Sequence, residues 1–354
     1  MVVIDGRDPG DARHDRPAVP GLRFRPFDPA TDYPALVGLI HAHNRFDRID
    51  QLPTVENLRS EHEHIEGFDS GRDVILAEID GSICAAARTV ARTRDGRGSH
   101  DFDGWVVPAA RGRGIGTAVL AWIEERAAQV AATDGRAGRP ELETWIDETQ
   151  LEAVELLERH GYRIGRYGVL MAHDLTAPIE SLELPDGLEI RPVEPAQHRQ
   201  IWDADTEAFR DHWNSAERTE ADYQGWFAEP ELDTSLWRVA WAGDVVAGVV
   251  MTSVWAAENE ALGIRRGWLD HVSVRRRWRR RGLASALIVE ALVGLRSAGL
   301  TEAFLGADAE NVTGAVRVYE RVGFRRQKTI VKYRKALQAS KAGGRPPSGE
   351  QATA

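Results

Sequence analysis

Hydrophobic positions follow two spacings along the chain, one that reads as strand and one that reads as helix. From Ser235 to Trp255, SLWRVAWAGDVVAGVVMTSVW carries two apolar, β-branched segments parted by Ala242-Gly243-Asp244, the pattern of a hairpin. RGWLDHVSV (266–274) predicts the next strand. GLASALIVEALVGLRSAG (282–299) predicts a helix closed by Gly299, EAFLGADA (302–309) a strand and TGAVRVYERVG (313–323) a second helix. The same succession stands earlier, as RDVILAEIDGSICAAARTV (72–90), GWVVP (104–108), GTAVLAWIEERAAQVAA (116–132), ELETWI (141–146) and EAVELLERHG (152–161). The pattern predicts an α/β chain of two tandem domains, each a mixed, mostly antiparallel sheet flanked by helices and turning parallel where a helix crosses over.

Landmarks in the two halves agree with that division. GLRFRPFDPA at Gly21 is answered by GLEIRPVEPA at Gly187, RGRGIG (111–116) by RRRGLA (279–284), and ELLERHGY ending at Tyr162 by RVYERVGF ending at Phe324. A repeat of this length is a duplicated domain, since solenoid periods run to about 20–50 residues. We expect an N-terminal domain at 21–175, a linker at 176–186, a C-terminal domain at 187–337, and disordered tails at 1–20 and 338–354, where large apolar side chains are scarce.

Composition narrows the partners. The formal net charge is −10, which speaks against nucleic acid as the ligand and makes the arginine cluster at Trp278–Ala284 a candidate for a small anion. No run approaches the roughly 20 apolar residues of a membrane span, and the N-terminus carries no apolar signal core. A cytoplasmic protein without membrane contact is expected; its oligomeric state is not legible. The single cysteine, Cys84, reads as a buried strand residue. His41/His43 and His62/His64 fall in helical stretches where i and i+2 diverge, so no metal is expected.

A strand running into Arg-x-x-Gly-x-Gly/Ala and then a helix offers free backbone N–H groups, small residues and the positive end of a helix dipole, which together suit a pyrophosphate. The spacing fits neither a dinucleotide fingerprint nor a P-loop. With Asn311 and GAVRVYERVGF downstream, the second half resembles the coenzyme A-binding core of the GNAT N-acetyltransferase superfamily, and the first half resembles it more weakly. The resemblance implies two tandem GNAT-like domains and acetyl-CoA as cosubstrate. It implies that the pyrophosphate lies on the loop Arg279, Arg280, Arg281, Gly282, Leu283, Ala284 and Ser285, with Asn311 nearby, and that Val272, Ser273 and Val274 hold the pantetheine arm and acetyl group. In the first half the matching positions are Val106, Arg111, Gly112, Arg113, Gly114, Gly116 and Thr117.

Acetyl transfer to an amine needs a neutral nitrogen, a donor for the oxyanion and a proton for the departing thiolate. The resemblance assigns the oxyanion to an N–H near Val274 and the thiolate to Tyr319. Trp268 stands where many members have a glutamate; Asp270, two residues on and so on the same strand face, is the carboxylate we select, while His271 is expected on the opposite face. The first half has Leu157 and Thr149 at the tyrosine and asparagine positions, so it is expected to bind coenzyme A or support the fold without catalysing. Trp213 and Trp226 in EAFRDHWNSAERTEADYQGWF (207–227) are candidates to line the acceptor cleft. These readings describe an acetyl-CoA-dependent N-acetyltransferase of a small-molecule primary amine, with catalysis in the C-terminal domain. A non-catalytic acetyl-CoA sensor or scaffold, and an acetyltransferase of protein N-termini or lysines, stay open beside it.

Overall fold

The computed structural model describes residues 19–337 except 95, 134–139, 211–212, 214–216 and 311–313. The tails expected at 1–20 and 338–354, apart from Val19 and Pro20, lie outside the described residues, as does Asn311. The first half runs β1 (Leu22–Pro26), α1 (Tyr33–Asp47), α2 (Val55–His64), α3 (Ser70–Asp73), β2 (Val74–Ile79), β3 (Ser82–Arg94), β4 (Arg97–Val106), α4 (Ile115–Ala131), β5 (Glu141–Asp147), α5 (Leu151–Arg159) and β6 (Arg163–Asp174). Residues 176–186 are without helix or strand. The second half follows with β7 (Glu189–Arg191), α6 (His198–Phe209), α7 (Glu220–Phe227), β8 (Arg238–Ala242), β9 (Val245–Ser253), α8 (Ala256–Leu262), β10 (Arg266–Val274), α9 (Leu283–Ser297), β11 (Glu302–Asp308), α10 (Ala315–Arg321) and β12 (Arg325–Ala336).

Local chemistry sets these boundaries. Gly243 turns the β8–β9 hairpin at φ 62°. Gly299, at φ 86°, ends α9: its N–H bonds the Arg296 carbonyl at 2.9 Å, and the Leu300 N–H reaches the Leu295 carbonyl at 3.2 Å, so two orphan carbonyls are satisfied. The strand expected at GWVVP is longer than its apolar residues suggest. β4 begins at Arg97 because RGSHDFD pairs in register with the far end of β3, from Arg94↔Arg97 to Ala85↔Val106.

The described strands form one sheet in the order β1-β2-β3-β4-β5-β12-β6-β11-β10-β9-β8-β7. Pairing is parallel only at β4–β5 and β10–β11, where α4 and α9 make the crossovers. The closing strand of each half leaves its own half. β6 pairs with β11 from Glu302↔Asp174 to Asp308↔Gly168, and β12 pairs with β5 from Ile330↔Asp147 to Ala336↔Glu141. β6 and β12 then pair with each other at the centre.

The cores record this exchange. Val169, Met171 and Leu175 from the end of the first half pack with Leu287, Leu292 and Leu295 of α9, whereas Tyr333 of β12 packs with Val119, Ile123 and Ala127 of α4. On the opposite face α1 and α2 cover the first half, and α6 with Trp237 and Trp241 covers the second. Across the seam Lys332 Nζ meets Glu143 Oε2 at 2.5 Å, with both side chains almost entirely buried. Glu143 Oε2 also lies 3.6 Å from Arg94 Nε, so removing Lys332 strips the buried carboxylate of its nearer cation and leaves it the longer contact. Lys332→Met is expected to destabilise the protein by about 3 kcal/mol, and adding Glu143→Leu to restore most of the loss. Urea unfolding of the single and double variants measures both.

Candidate active site

β10 and β11 pair for three residues, Arg266↔Glu302, Gly267↔Ala303 and Trp268↔Phe304, and then part. On its other edge β10 stays bonded to β9, where the Arg275 N–H reaches the Ala247 carbonyl at 3.0 Å. Antiparallel alternation therefore turns the peptide groups of Val272 and Val274 away from β9, into the gap, and engages those of Ser273 with β9. β4 and β5 repeat the geometry: they pair only at Ser99↔Glu141, His100↔Leu142 and Asp101↔Glu143.

At the end of β10 a 3₁₀ turn, Arg276–Trp278, leads through Arg279, Arg280 and Arg281 to α9. Arg280 has φ 61° and Gly282 φ 85°; Gly112 and Gly114 hold the same conformations before α4, at 70° and 84°. The first α9 backbone bond with a partner in the helix runs from Ala286 N–H to the Gly282 carbonyl, and no side chain caps this end. The N–H groups of Leu283, Ala284 and Ser285 are thus donors without intrahelical partners, joined by the positive end of a 15-residue helix. A Cβ built on Gly282 meets nothing within 4 Å, so the space above the turn is open. The Leu283 side chain is core; Arg280 and Arg281 are exposed. Arg279 has another task, since Nε donates to the Val274 carbonyl at 2.8 Å and Nη2 to the Ala208 carbonyl at 3.0 Å, fastening the turn to the strand and to α6.

The first half has the same turn, with Arg113 exposed and Gly116 and Thr117 in the first turn of α4, but its gap is filled by its own side chains. The Val106 N–H, counterpart of that of Val274, donates to His43 Nδ1 at 3.3 Å. Asp47 takes Arg111 at 2.7 and 2.9 Å, Arg111 also reaches His43 at 3.1 Å, and the Thr149 hydroxyl donates to the Asp47 carbonyl at 2.6 Å. The other members of the two histidine pairs are engaged locally: His41 with the Pro53 carbonyl, His62 with the Tyr33 hydroxyl and His64 with the Ser60 carbonyl.

Tyr319 lies on α10 with its ring in the α9 core against Phe324, and burial pushes its phenol up to about 12. Among the described residues nothing bonds its hydroxyl. Asp270 is the extra residue of a β-bulge, because Leu269 faces Thr252 while His271 already faces Met251. The Ser253 hydroxyl donates to Asp270 Oδ1 at 3.0 Å, and the atoms crowding the carboxyl push it up to about 6 although one side stays open to solvent.

The bulge overturns one expectation. His271 does not point to the opposite face: Trp268 faces Ser253 and His271 faces Met251, two residues apart on β9, so Trp268, Asp270 and His271 gather beside α6 and α7. There His271 Nδ1 lies 2.8 Å from Asp205 of α6, and Arg218 Nη1 donates to the same Asp205 oxygen at 2.7 Å. Burial alone pushes Asp205 up, but His271 and Arg218 hold it down to about 2. Sequence reasoning missed Asp205 and Arg218; the trace of Asp205 was a buried-side position on the amphipathic α6, and Arg218, in the loop before α7, left none. Trp226 sits at this place, its ring 4.8 Å from that of His271. Trp213 does not: it lies 4.7 Å from the Arg166 guanidinium of β6 and 5.7 Å from Lys332, over the seam.

A duplicated sheet in which a parallel strand pair parts beside an uncapped helix is the GNAT arrangement, and sequence comparison agrees. The acetyltransferase (GNAT) family profile matches residues 198–324 and an acetyltransferase (GNAT) domain profile residues 70–164. The chain belongs to the GNAT family and is a tandem N-acetyltransferase. It is similar to mycothiol synthase: the mycothiol acetyltransferase of Geodermatophilus obscurus is 30% identical over 305 residues, 85% of this chain and 94% of the relative. That of Thermobispora bispora is 33% identical over 231 residues, 65% and 74% of the two chains. Among solved structures, a GCN5-related N-acetyltransferase from Sphaerobacter thermophilus has a TM-score of 0.69 and 29% identity, over 92% of this chain and 98% of that one. A tandem GNAT protein from the clavulanic acid biosynthesis pathway shares the fold, at TM-score 0.67 and 16% identity, over 90% and 100%. Among the described residues no helix is long and apolar enough to cross a membrane, and no group of three or more His, Cys, Asp or Glu side chains is placed to hold a metal ion.

The raised acid at Asp270 has a pH signature. Its folded value exceeds its unfolded one, so ionisation opposes folding as pH rises from about 4 through 6, and the opposition is complete above that. Asp270→Asn is expected to raise the melting temperature at about pH 8 and to leave it nearly unchanged at about pH 4, read by calorimetry at the two values.

Proposed function

We propose that the protein transfers an acetyl group from acetyl-CoA to the primary amine of a small molecule, with the chemistry in the second half. The observation that carries this is the pairing of an open gap and an uncapped α9 with Tyr319 in one half, where the other half has a filled gap and Leu157. When bound, acetyl-CoA supplies the acetyl group as an activated thioester. The N–H groups from Gly282 to Ser285 hold its pyrophosphate, Val272 offers peptide groups to the pantetheine arm, and the Val274 N–H faces the carbonyl whose oxygen gains charge. The Tyr319 phenol, protonated at neutral pH, gives its proton to the departing sulfur. Asp270 and His271 present a negative and a basic group to the incoming amine, with Trp226 as a wall.

The acceptor side favours a small molecule. α2 of the first half packs on α7 so closely that a Cβ on Gly225 would lie 2.6 Å from that of His64, and Asn57 donates to Glu229 at 2.5 Å. The Leu52 N–H donates to Glu258 of α8 at 2.8 Å. These contacts pack the first half against α7 and α8 beside His271, which supports a confined acceptor over a long groove. The relatives named mycothiol acetyltransferase support the same class of acceptor.

Calorimetric titration is expected to give one acetyl-CoA per chain, lost in Gly282→Val and kept in Gly114→Val. No binding to the unmodified protein sinks the acetyl-transfer reading. In a thiol-release screen of primary amines, Tyr319→Phe is expected to lower kcat by about 100-fold with little change in acetyl-CoA affinity. An unchanged rate removes Tyr319 from the chemistry.

A further inference from the structure

We infer that His271, positioned by Asp205, is the group that takes the proton from the acceptor ammonium; the inference rests on the acetyl-transfer reading above. Three observations on geometry meet at this imidazole. The β10 bulge turns it onto the α6–α7 face, where it keeps some exposure, at 18% of its side chain. Asp205, whose side chain is fully buried, bonds Nδ1 at 2.8 Å. The Trp226 and Phe209 rings, at 4.8 and 5.1 Å, fix the plane of the ring.

The hydrogen bonds around Asp205 orient the imidazole. Arg218 already balances Asp205 through the same oxygen, so the pair Asp205–Arg218 is neutral and needs no second cation. In its neutral form the imidazole donates Nδ1–H to Asp205 and keeps the lone pair on Nε2, for which the described residues supply no partner. The groups facing it are Asp205 and Phe209 of α6, Arg218, Trp226 of α7 and Asp270 beside it on β10. Asp270 is bonded by Ser253 and supplies the negative charge that draws an ammonium toward the bulge.

The duplicated half is an internal control. In the register that aligns Gly21 with Gly187, Leu39 stands for Asp205 and Leu52 for Arg218; in the register that aligns Arg111 with Arg279, Asp103 stands for His271. All three members of the cluster are absent from the half that also lacks the tyrosine.

The protons balance as follows in terms of these residues. Nε2 of His271 accepts one ammonium proton, which frees the nitrogen pair to form the new N–C bond. As the C–S bond breaks, Tyr319 gives its proton to the sulfur and recovers the second nitrogen proton, and His271 returns its own to water. Asp205 acts only through His271, as a positioning residue.

The test uses His271→Asn, whose side-chain amide keeps a donor to Asp205 while removing Nε2. Two probe nucleophiles are compared by thiol release from acetyl-CoA near neutral pH: ethanolamine, an ammonium ion there, and hydroxylamine, already neutral. The variant is expected to lose about 100-fold with ethanolamine and to stay within about threefold of the parent with hydroxylamine. Equal losses with both overturn the assignment, because a packing defect does not distinguish them. A measurement independent of turnover is ¹⁵N-detected NMR of the imidazole in the resting full-length protein. The Nδ1–H tautomer is expected for His271 and its loss in Asp205→Asn; an Nε2–H tautomer or an imidazolium overturns the proposal. Absent acetyl-CoA binding instead refutes acetyl transfer itself, whatever the tautomer.

Discussion

A parallel strand pair held together for three residues and then released leaves a row of peptide groups with no ladder to join. Such groups must be bonded by something, since a buried N–H or C=O left alone is destabilising by an amount comparable to a lost hydrogen bond. In the second half the chain leaves the Val274 N–H facing the gap, and Arg279 takes only the neighbouring carbonyl. The same parting of strands opens a floor between β10 and β11 and aims α9 at its end. The open strand edge and the uncapped helix end are the two features on which the proposed coenzyme site rests.

The first half shows what the fold does when that requirement is met from within. His43 occupies the counterpart N–H, Asp47 neutralises Arg111, and Thr149 ties the assembly to α1. The two gaps share a backbone and differ in a few side chains, so the asymmetry of the molecule lies in occupancy rather than in architecture. Burial pushes the His43 imidazole toward its neutral form, which is the form that accepts an N–H. The paired Asp47–Arg111 bonds then lock the filling in place.

Most of the elements were legible because they are marked locally: Gly243 at a hairpin, Gly299 past a helix, Gly282 at an uncapped start. Arg280 was not readable as a left-handed residue, since nothing in its side chain requires that conformation and only comparison with Gly112 exposes it. The bulge at Asp270 was equally silent. Strict alternation put His271 on the far face, and one unpaired residue brings it round beside Asp205. Trp226 and Trp213, indistinguishable in sequence, separate because one is on a helix above β10 and the other reaches the basic side chains of the seam. The partners of β6 and β12 were illegible for a general reason: both are amphipathic strands at the end of a repeat, and sequence periodicity says which face is buried, never which neighbour lies alongside.

The exchanged closing strands reach back to the order in which the chain is made. β5 waits for β12, whose residues lie about two hundred positions downstream, and the α4 core lacks Tyr333 until then. A chain emerging from the ribosome therefore holds its first half with an open sheet edge through the synthesis of the whole second half. Contacts so distant in sequence close slowly, and assembly of the two halves becomes a single late event rather than two successive ones. Neither repeat, as folded here, closes its own sheet, so each depends on the other for its last ladder.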